Sequence, residues 1–248
     1  MTAQIPLQLV QPLRYSSAHF LVHSGVAGVI TSLVTLSYQR VFSLAYVEAE
    51  AKGGKTHTGV YLVGHLQSKG RPARMARGDT LPEWYAAGCG GEALRAGETV
   101  VIDDGDLLLE ELSRASRSGI FMDLVEQLGQ LDGTLVILGA TCPTTIKCSK
   151  QIRSRLDAGL HLTLAGPSEA ELDSLLNLIT KQRGIQLTES KRSFILRRVS
   201  RTLPALVECV ERVEDLADSA SSRTSFEALA GALEQEPQNL PLFDRKTA

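Results

Sequence analysis

The apolar positions of this 248-residue chain change rhythm near Ser168. Before it they fall in short continuous runs: VFSLAYVE (Val41–Glu48), ETVVIDDGD (Glu98–Asp106), GTLVILGAT (Gly133–Thr141) and GLHLTLAG (Gly159–Gly166). Short apolar runs bounded by turn residues predict strands buried on both faces, as in a parallel sheet. Helical patterns separate them. THTGVYLVGHLQSKG predicts a helix from Thr56 to a glycine stop at Gly70, and Glu111–Gln130 reads as one largely helical stretch. LPEWYAAGCGG, ahead of the acid-ended strand, reads as a loop or short helix. Alternation of this kind implies an α/β domain with helices on both sheet faces.

After Ser168 the strands stop. Ser168 and Glu171 form an S-x-x-E capping box that predicts a helix to Arg183, ended by Gly184. A second helix is expected after Thr188, carrying Phe194, Ile195, Leu196 and Val199. A third follows Thr202, with Pro204 in its first turn, where the missing N–H costs nothing. SSRTS (Ser221–Ser225) reads as a linker before a last short helix to about Gln235. The expected organisation is an N-terminal segment over 1–22, an α/β base over 23–166, a small helical lid over 167–235 and a polar tail over 236–248.

Composition excludes some classes of function. With 26 basic and 28 acidic residues the formal charge is −2, so the overall field gives no case for binding nucleic acid or membrane. The mean hydropathy is −0.01, and the most apolar run, Gly25–Leu36, is broken by Thr31 and Ser32. It falls short of the roughly 20 apolar residues a membrane span requires. The start, MTAQIPLQLVQPLR, lacks a secretory pattern. The four cysteines form no C-x-x-C pair and the histidines show no metal spacing. These features fit a cytoplasmic protein with reduced thiols and no metal centre.

The candidate chemistry lies in AEAKGGKTHTG (Ala49–Gly59). A phosphate-binding loop reads G-x-x-x-x-G-K-[ST] between a strand and a helix, so that backbone N–H groups and a lysine meet the phosphates while a hydroxyl meets magnesium. Gly53, Gly54, Lys55 and Thr56 suit that chemistry. Ala49 stands where the first glycine belongs, and Glu50 brings a carboxylate towards the phosphates. At about 4 Å its repulsion is roughly 1 kcal/mol in water and about 4 near a protein surface. The second element of such a site is an acid pair ending a buried strand. VVIDDGD supplies Asp103, expected to hold magnesium through water, and Asp104, expected nearest the attacking water. Alone the pair reads equally well as a solvated strand cap; behind a strand-borne GKT it points to P-loop ancestry.

GGKTH, VVIDDGD, GTLVILGAT, IRSRLDAGLHLTLAGPSEAEL and ITKQRGIQLTESKRSFILRRVSRTLPALVECVERVED follow one another in an order that resembles the AAA+ proteins of the DnaA initiator group, over roughly Ile5–Leu233. The resemblance implies a P-loop AAA+ core with a parallel sheet covered by helices, plus a small C-terminal helical lid. It implies that Arg155, in RSRL before a strand, is an arginine finger given to a neighbour's nucleotide, with Arg153 supporting it. The family's other arginine in this segment falls at Gln151, its sensor-1 residue near Ala140 and Thr141, and its sensor-2 arginine at Pro204, with Arg201 out of register. The parts that serve the chain's own nucleotide are therefore altered, while Arg155 remains. No cofactor is required on this reading, and ADP or ATP would bind weakly.

Clamp-binding peptides resemble Q-L-x-L-F, apolar anchors beside a directional amide. QNLPLF offers Gln238, Leu240, Leu242 and Phe243; QIPLQL offers Gln4 and Leu7 in the place the family uses. The structural alternatives are a tail folded on the lid and an N-terminal segment packed on the core. The resemblance implies a regulator that meets DNA through the polymerase III sliding clamp (beta subunit), packs against the DnaA initiator and promotes hydrolysis of its ATP, without being an enzyme itself. A working nucleotide switch or ATPase, and a clamp-associated adaptor for another client, are the alternatives. No membrane partner is expected, and self-association is left open.

Overall fold

The structure, a computed structural model, describes residues 20–86, 93–217 and 229–230. In chain order these form α1 (Ser24–Tyr38), β1 (Ser43–Glu48), α2 (Lys55–Ser68), β2 (Ala73–Arg77), α3 (Leu81–Ala86), β3 (Thr99–Asp103), α4 (Gly105–Arg114), α5 (Ser118–Gln130), β4 (Thr134–Gly139), α6 (Lys150–Ala158), β5 (Leu160–Thr163), α7 (Leu172–Gln182), α8 (Glu189–Leu196) and α9 (Leu203–Ala217). The chain divides into two compact units, Met1–Ser168 and Glu169–Ala248.

The five strands make one parallel sheet in the order β2-β3-β4-β1-β5. Its apolar runs are continuous because the two faces carry separate cores and successive residues alternate between them. Tyr46, Val100, Ile102, Leu135 and Ile137 pack on one face with Leu109 and Leu112 of α4, Phe121 and Leu124 of α5, and Ile152 and Leu156 of α6. Ala45, Val47, Val101, Val136 and Leu138 pack on the other with Val29 and Leu33 of α1 and Leu62 and Leu66 of α2. In the second unit, Leu172, Leu176, Ile195, Leu206, Val210 and Val213 form a third core.

Four of the five strands match the expected runs, and the sheet is parallel as expected. The differences have local causes. Glu111–Gln130 is not one helix: α4 ends at Arg114, and Ser116 takes a left-handed φ of 56° before α5 begins. Glu169–Glu171 is a 3-10 turn, so α7 starts at Leu172 with Glu171 itself in the N-cap place. β2 and α1 were not foreseen. Arg155 does not sit in a loop: it lies in the last turn of α6, which Ser149 opens by accepting from the Ile152 N–H. No helix among the described residues is long and apolar enough to cross a membrane.

Candidate nucleotide site and arginine helix

The strand order brings the C-terminal ends of β1, β3 and β4 side by side, with β4 between the other two. Open α/β sheets bind ligands outside such ends. The loop after β1 turns through Lys52 at φ 58° and Gly54 at φ 89°, and α2 starts at Lys55. Gly53 is needed there, since a Cβ on it would sit 2.9 Å from the Glu50 carbonyl oxygen. Ala49, in the place of the first glycine, is buried with Val47 and Leu62. The Glu50 residue is exposed, which puts its repulsion towards an anion nearer the solvated figure of about 1 kcal/mol. Lys55 Nζ donates to the carbonyls of Ala49 and Glu50, each at 2.9 Å, and so spans the loop.

Thr56 Oγ1 donates to Asp103 Oδ2 at 2.7 Å, joining the loop to the end of β3. The Asp103 residue is buried, and its other oxygen, Oδ1, has no partner. A buried carboxylate oxygen left unsatisfied is costly, and a hydrated divalent cation is the kind of group that satisfies one. Thr56 and Asp103 thus fit magnesium, and Gly53, Gly54 and Lys55 fit the phosphates it would accompany. Asp104 adopts a left-handed φ of 51° at the head of α4. Burial, and then the Asp103 carboxylate, push its carboxyl above the ordinary aspartate range, while Arg77 pulls the other way.

The third acid, Asp106, escaped the sequence reading. It is buried, and its Oδ2 accepts from the N–H groups of Ala140 (3.0 Å) and Thr141 (2.9 Å). Tyr46 donates its hydroxyl to the Thr141 carbonyl at 2.7 Å. Burial, followed by the charge of Asp106, raises the Tyr46 phenol well above its ordinary range, so it stays a donor. The only available signal was a third acid two positions beyond the pair.

Arg153 and Arg155 separate in role. Arg153 donates through both terminal nitrogens to the carbonyls of Pro143 and Ile146, clamping the loop that leads into α6. Arg155 is exposed, like Gln151 one turn earlier, beside the buried Ile152 and Leu156, and its side chain has no hydrogen bond or ion pair among the described residues. In the second unit Pro204 does occupy the first turn of α9, and Arg201, outside that helix, pairs with Glu169. Among the described residues no cluster of three His, Cys, Asp or Glu side chains could hold a metal ion. The clamp-peptide candidates Gln4, Leu7, Gln238, Leu240, Leu242 and Phe243 lie outside the described residues.

Solved structures share this fold. Domain III of the replication initiation protein DnaA from Thermotoga maritima superposes with a TM-score of 0.68 at 15% identity, over 89% of this chain and 95% of that one. The fold is that of the AAA+ P-loop proteins. AMPPCP-bound DnaA from Aquifex aeolicus gives 0.62 at 13% identity, over 87% of this chain and 67% of that one. The RuvB Holliday junction branch migration motor of Thermotoga maritima gives 0.57 at 17% identity, over 90% and 72%. No family model and no curated protein matches the sequence. Within this fold the loop before α2 and the helix α6 are separate parts of the first unit.

Proposed function

We propose that the chain regulates initiation of chromosomal replication by promoting hydrolysis of ATP bound to DnaA while associated with the DNA-loaded sliding clamp. On this reading it is most like Hda, the DnaA homologue that regulates initiator inactivation, and it supplies Arg155 in trans. The observation that carries the proposal is the contrast on α6. Arg153 is committed to its own backbone, whereas Arg155 is exposed and uncommitted, on a DnaA-like AAA+ fold. An arginine finger supplied in trans contributes roughly 10³–10⁵ in rate by stabilising charge on the phosphoryl group, and needs no active site on its own chain. Its own nucleotide site is degenerate, and DNA is met through the clamp.

The test follows DnaA-bound ATP in the presence of DNA-loaded clamp. The wild-type chain should accelerate hydrolysis, and Arg155→Ala should return it to the initiator's own rate. Arg155→Lys should recover only part, because an ammonium cannot reproduce the guanidinium fork. No acceleration by the wild type overturns the proposal; an activity indifferent to Arg155→Ala would favour an adaptor for another client.

The Thr56–Asp103 bond and the unpartnered Asp103 oxygen favour a second reading, a chain that binds ADP or ATP and docks according to its own nucleotide. Gly53, Gly54 and Lys55 would hold the phosphates, with Thr56 and Asp103 on the magnesium. Titration with fluorescent ADP and ATP, beside Lys55→Ala, separates this from an inert relic.

A further inference from the structure

The loop Ala140–Ser149 connects β4 to the helix that carries Arg155, and most of its anchors come from one face of α4. Asp106, Glu110 and Ser113 are spaced four and three residues apart, which stacks them along one side of a helix. Asp106 accepts from the N–H groups of Ala140 and Thr141. One turn on, Glu110 Oε1 accepts from the Lys147 N–H at 3.2 Å. Another turn on, Ser113 Oγ accepts from the Ser149 N–H at 3.0 Å while donating to the Leu109 carbonyl at 2.7 Å. Ser149 is the residue that caps α6. Three consecutive turns of α4 thus match backbone donors at the start, the end and the helix cap of the loop. Tyr46 and Arg153 satisfy carbonyls from the other side, and buried Ile146 supplies an apolar anchor between them.

We propose that α4 is the template that positions Arg155, with Asp106, Glu110 and Ser113 acting as positioning residues through the backbone of Ala140–Ser149. The inference rests on Arg155 being a finger, and it adds how the finger is aimed. α4 begins directly after the acid pair, so the strand end that faces the chain's own loop also sets the helix that faces a neighbour. Geometry of this kind matters in catalysis, because a misplacement of about 1 Å can cost roughly 10²-fold in rate. A ladder of side-chain acceptors fixes the register of α6 against α4 more sharply than the apolar contacts of Ile152 and Leu156, which tolerate sliding.

The experiment uses the full chain carrying Ser113→Ala, Ser113→Thr or Glu110→Ala. Amide hydrogen exchange is read at Lys147, Ser149 and along α6. Hydrolysis of DnaA-bound ATP is read as its maximal rate against the chain concentration giving half of it. Ser113→Ala should raise exchange at Ser149 and along α6 about tenfold and lower the maximal rate about tenfold, with half-saturation unchanged. Ser113→Thr, which keeps the hydroxyl, should restore both. A folded Ser113→Ala chain with a more exchangeable Ser149 amide but an unchanged maximal rate overturns the inference. Glu110→Ala, at a half-exposed position, repeats the test through Lys147 should Ser113→Ala not fold. If the wild-type chain does not accelerate hydrolysis at all, the proposed function fails and exchange alone decides. Exchange along α6 that follows the ladder variants supports the template, and exchange that ignores them overturns it.

Discussion

Lys55 and Arg153 each lay a cation across two backbone carbonyls in a loop that leaves a buried strand, and the two loops differ in everything else. Lys55 reaches Ala49 and Glu50 from a flexible stem, and the loop it spans has one backbone bond of its own, Gly53 N–H to the Glu50 carbonyl at 3.0 Å. Arg153 grips Pro143 and Ile146 with two nitrogens of a rigid fork, in a loop that Asp106, Tyr46, Glu110 and Ser113 also hold. An ammonium on a flexible chain can exchange partners at little cost, whereas a planar guanidinium seated in a saturated loop cannot. The difference separates a loop held by few bonds from one held by many.

The largest expected effect breaks the rigid side. A Cβ at Gly139 would collide with the Tyr46 hydroxyl, so Gly139→Ala should cost about 3 kcal/mol of stability and release the Thr141 carbonyl. Urea unfolding measures this, and a neutral result would mean that the end of β4 is as adaptable as the loop after β1. A smaller effect tests the other side. Thr56→Val removes the bond to Asp103 and leaves the buried carboxylate without either partner, at a cost of roughly 1–3 kcal/mol. The same variant should lose any magnesium dependence of fluorescent ADP binding, while Gly139→Ala should keep it. The smallest effect sharpens the boundary between the sides. The Asp104 carboxyl is raised by burial and by Asp103, so the folded chain holds that proton more tightly than the unfolded one. Stability then falls as pH rises through the carboxylate range. Asp104→Asn, which also suits a left-handed φ, should raise Tm slightly at pH 7, and the gain should vanish near pH 3, where the wild-type group is protonated in both states.

How much of this was legible in the sequence depended on whether a group stands in a local pattern of its own. β1, β3 and β4 announced themselves because burial on both faces demands uninterrupted apolar side chains. β5 showed through its alternating leucines, although as an edge strand it is largely exposed rather than buried on both faces as expected. β2 did not, because ARMAR places arginines at an edge, where Arg74 reaches Glu98 at 3.1 Å. α1 was obscured by Thr31, Ser32, Thr35 and Ser37, whose hydroxyls turn back to carbonyls four residues earlier and so cost the helix little. The signals for α6 were present, a serine cap, Ile152 and Leu156 four apart and a glycine after the end, but a short polar segment hid them. The loop glycines, Lys55 and Thr56 were readable because strand, loop and helix adjoin in sequence, and Asp103 because it ends an apolar strand in an acid pair. Asp106 was not, since its partners lie 34 and 35 residues further on and offer only backbone.

The strand order carries a consequence for synthesis. Among the described residues β1 pairs only with β4 and β5, although it precedes both in the chain. Roughly 85 residues separate Glu48 from Thr134, which at a typical elongation rate takes about 4–17 s. Throughout that interval both edges of an apolar segment, with Leu44, Tyr46 and Val47 among its residues, stand open on the nascent chain. An inner strand of the finished sheet is therefore the one that waits longest for its neighbours, and its need for protection is greatest before the protein is complete.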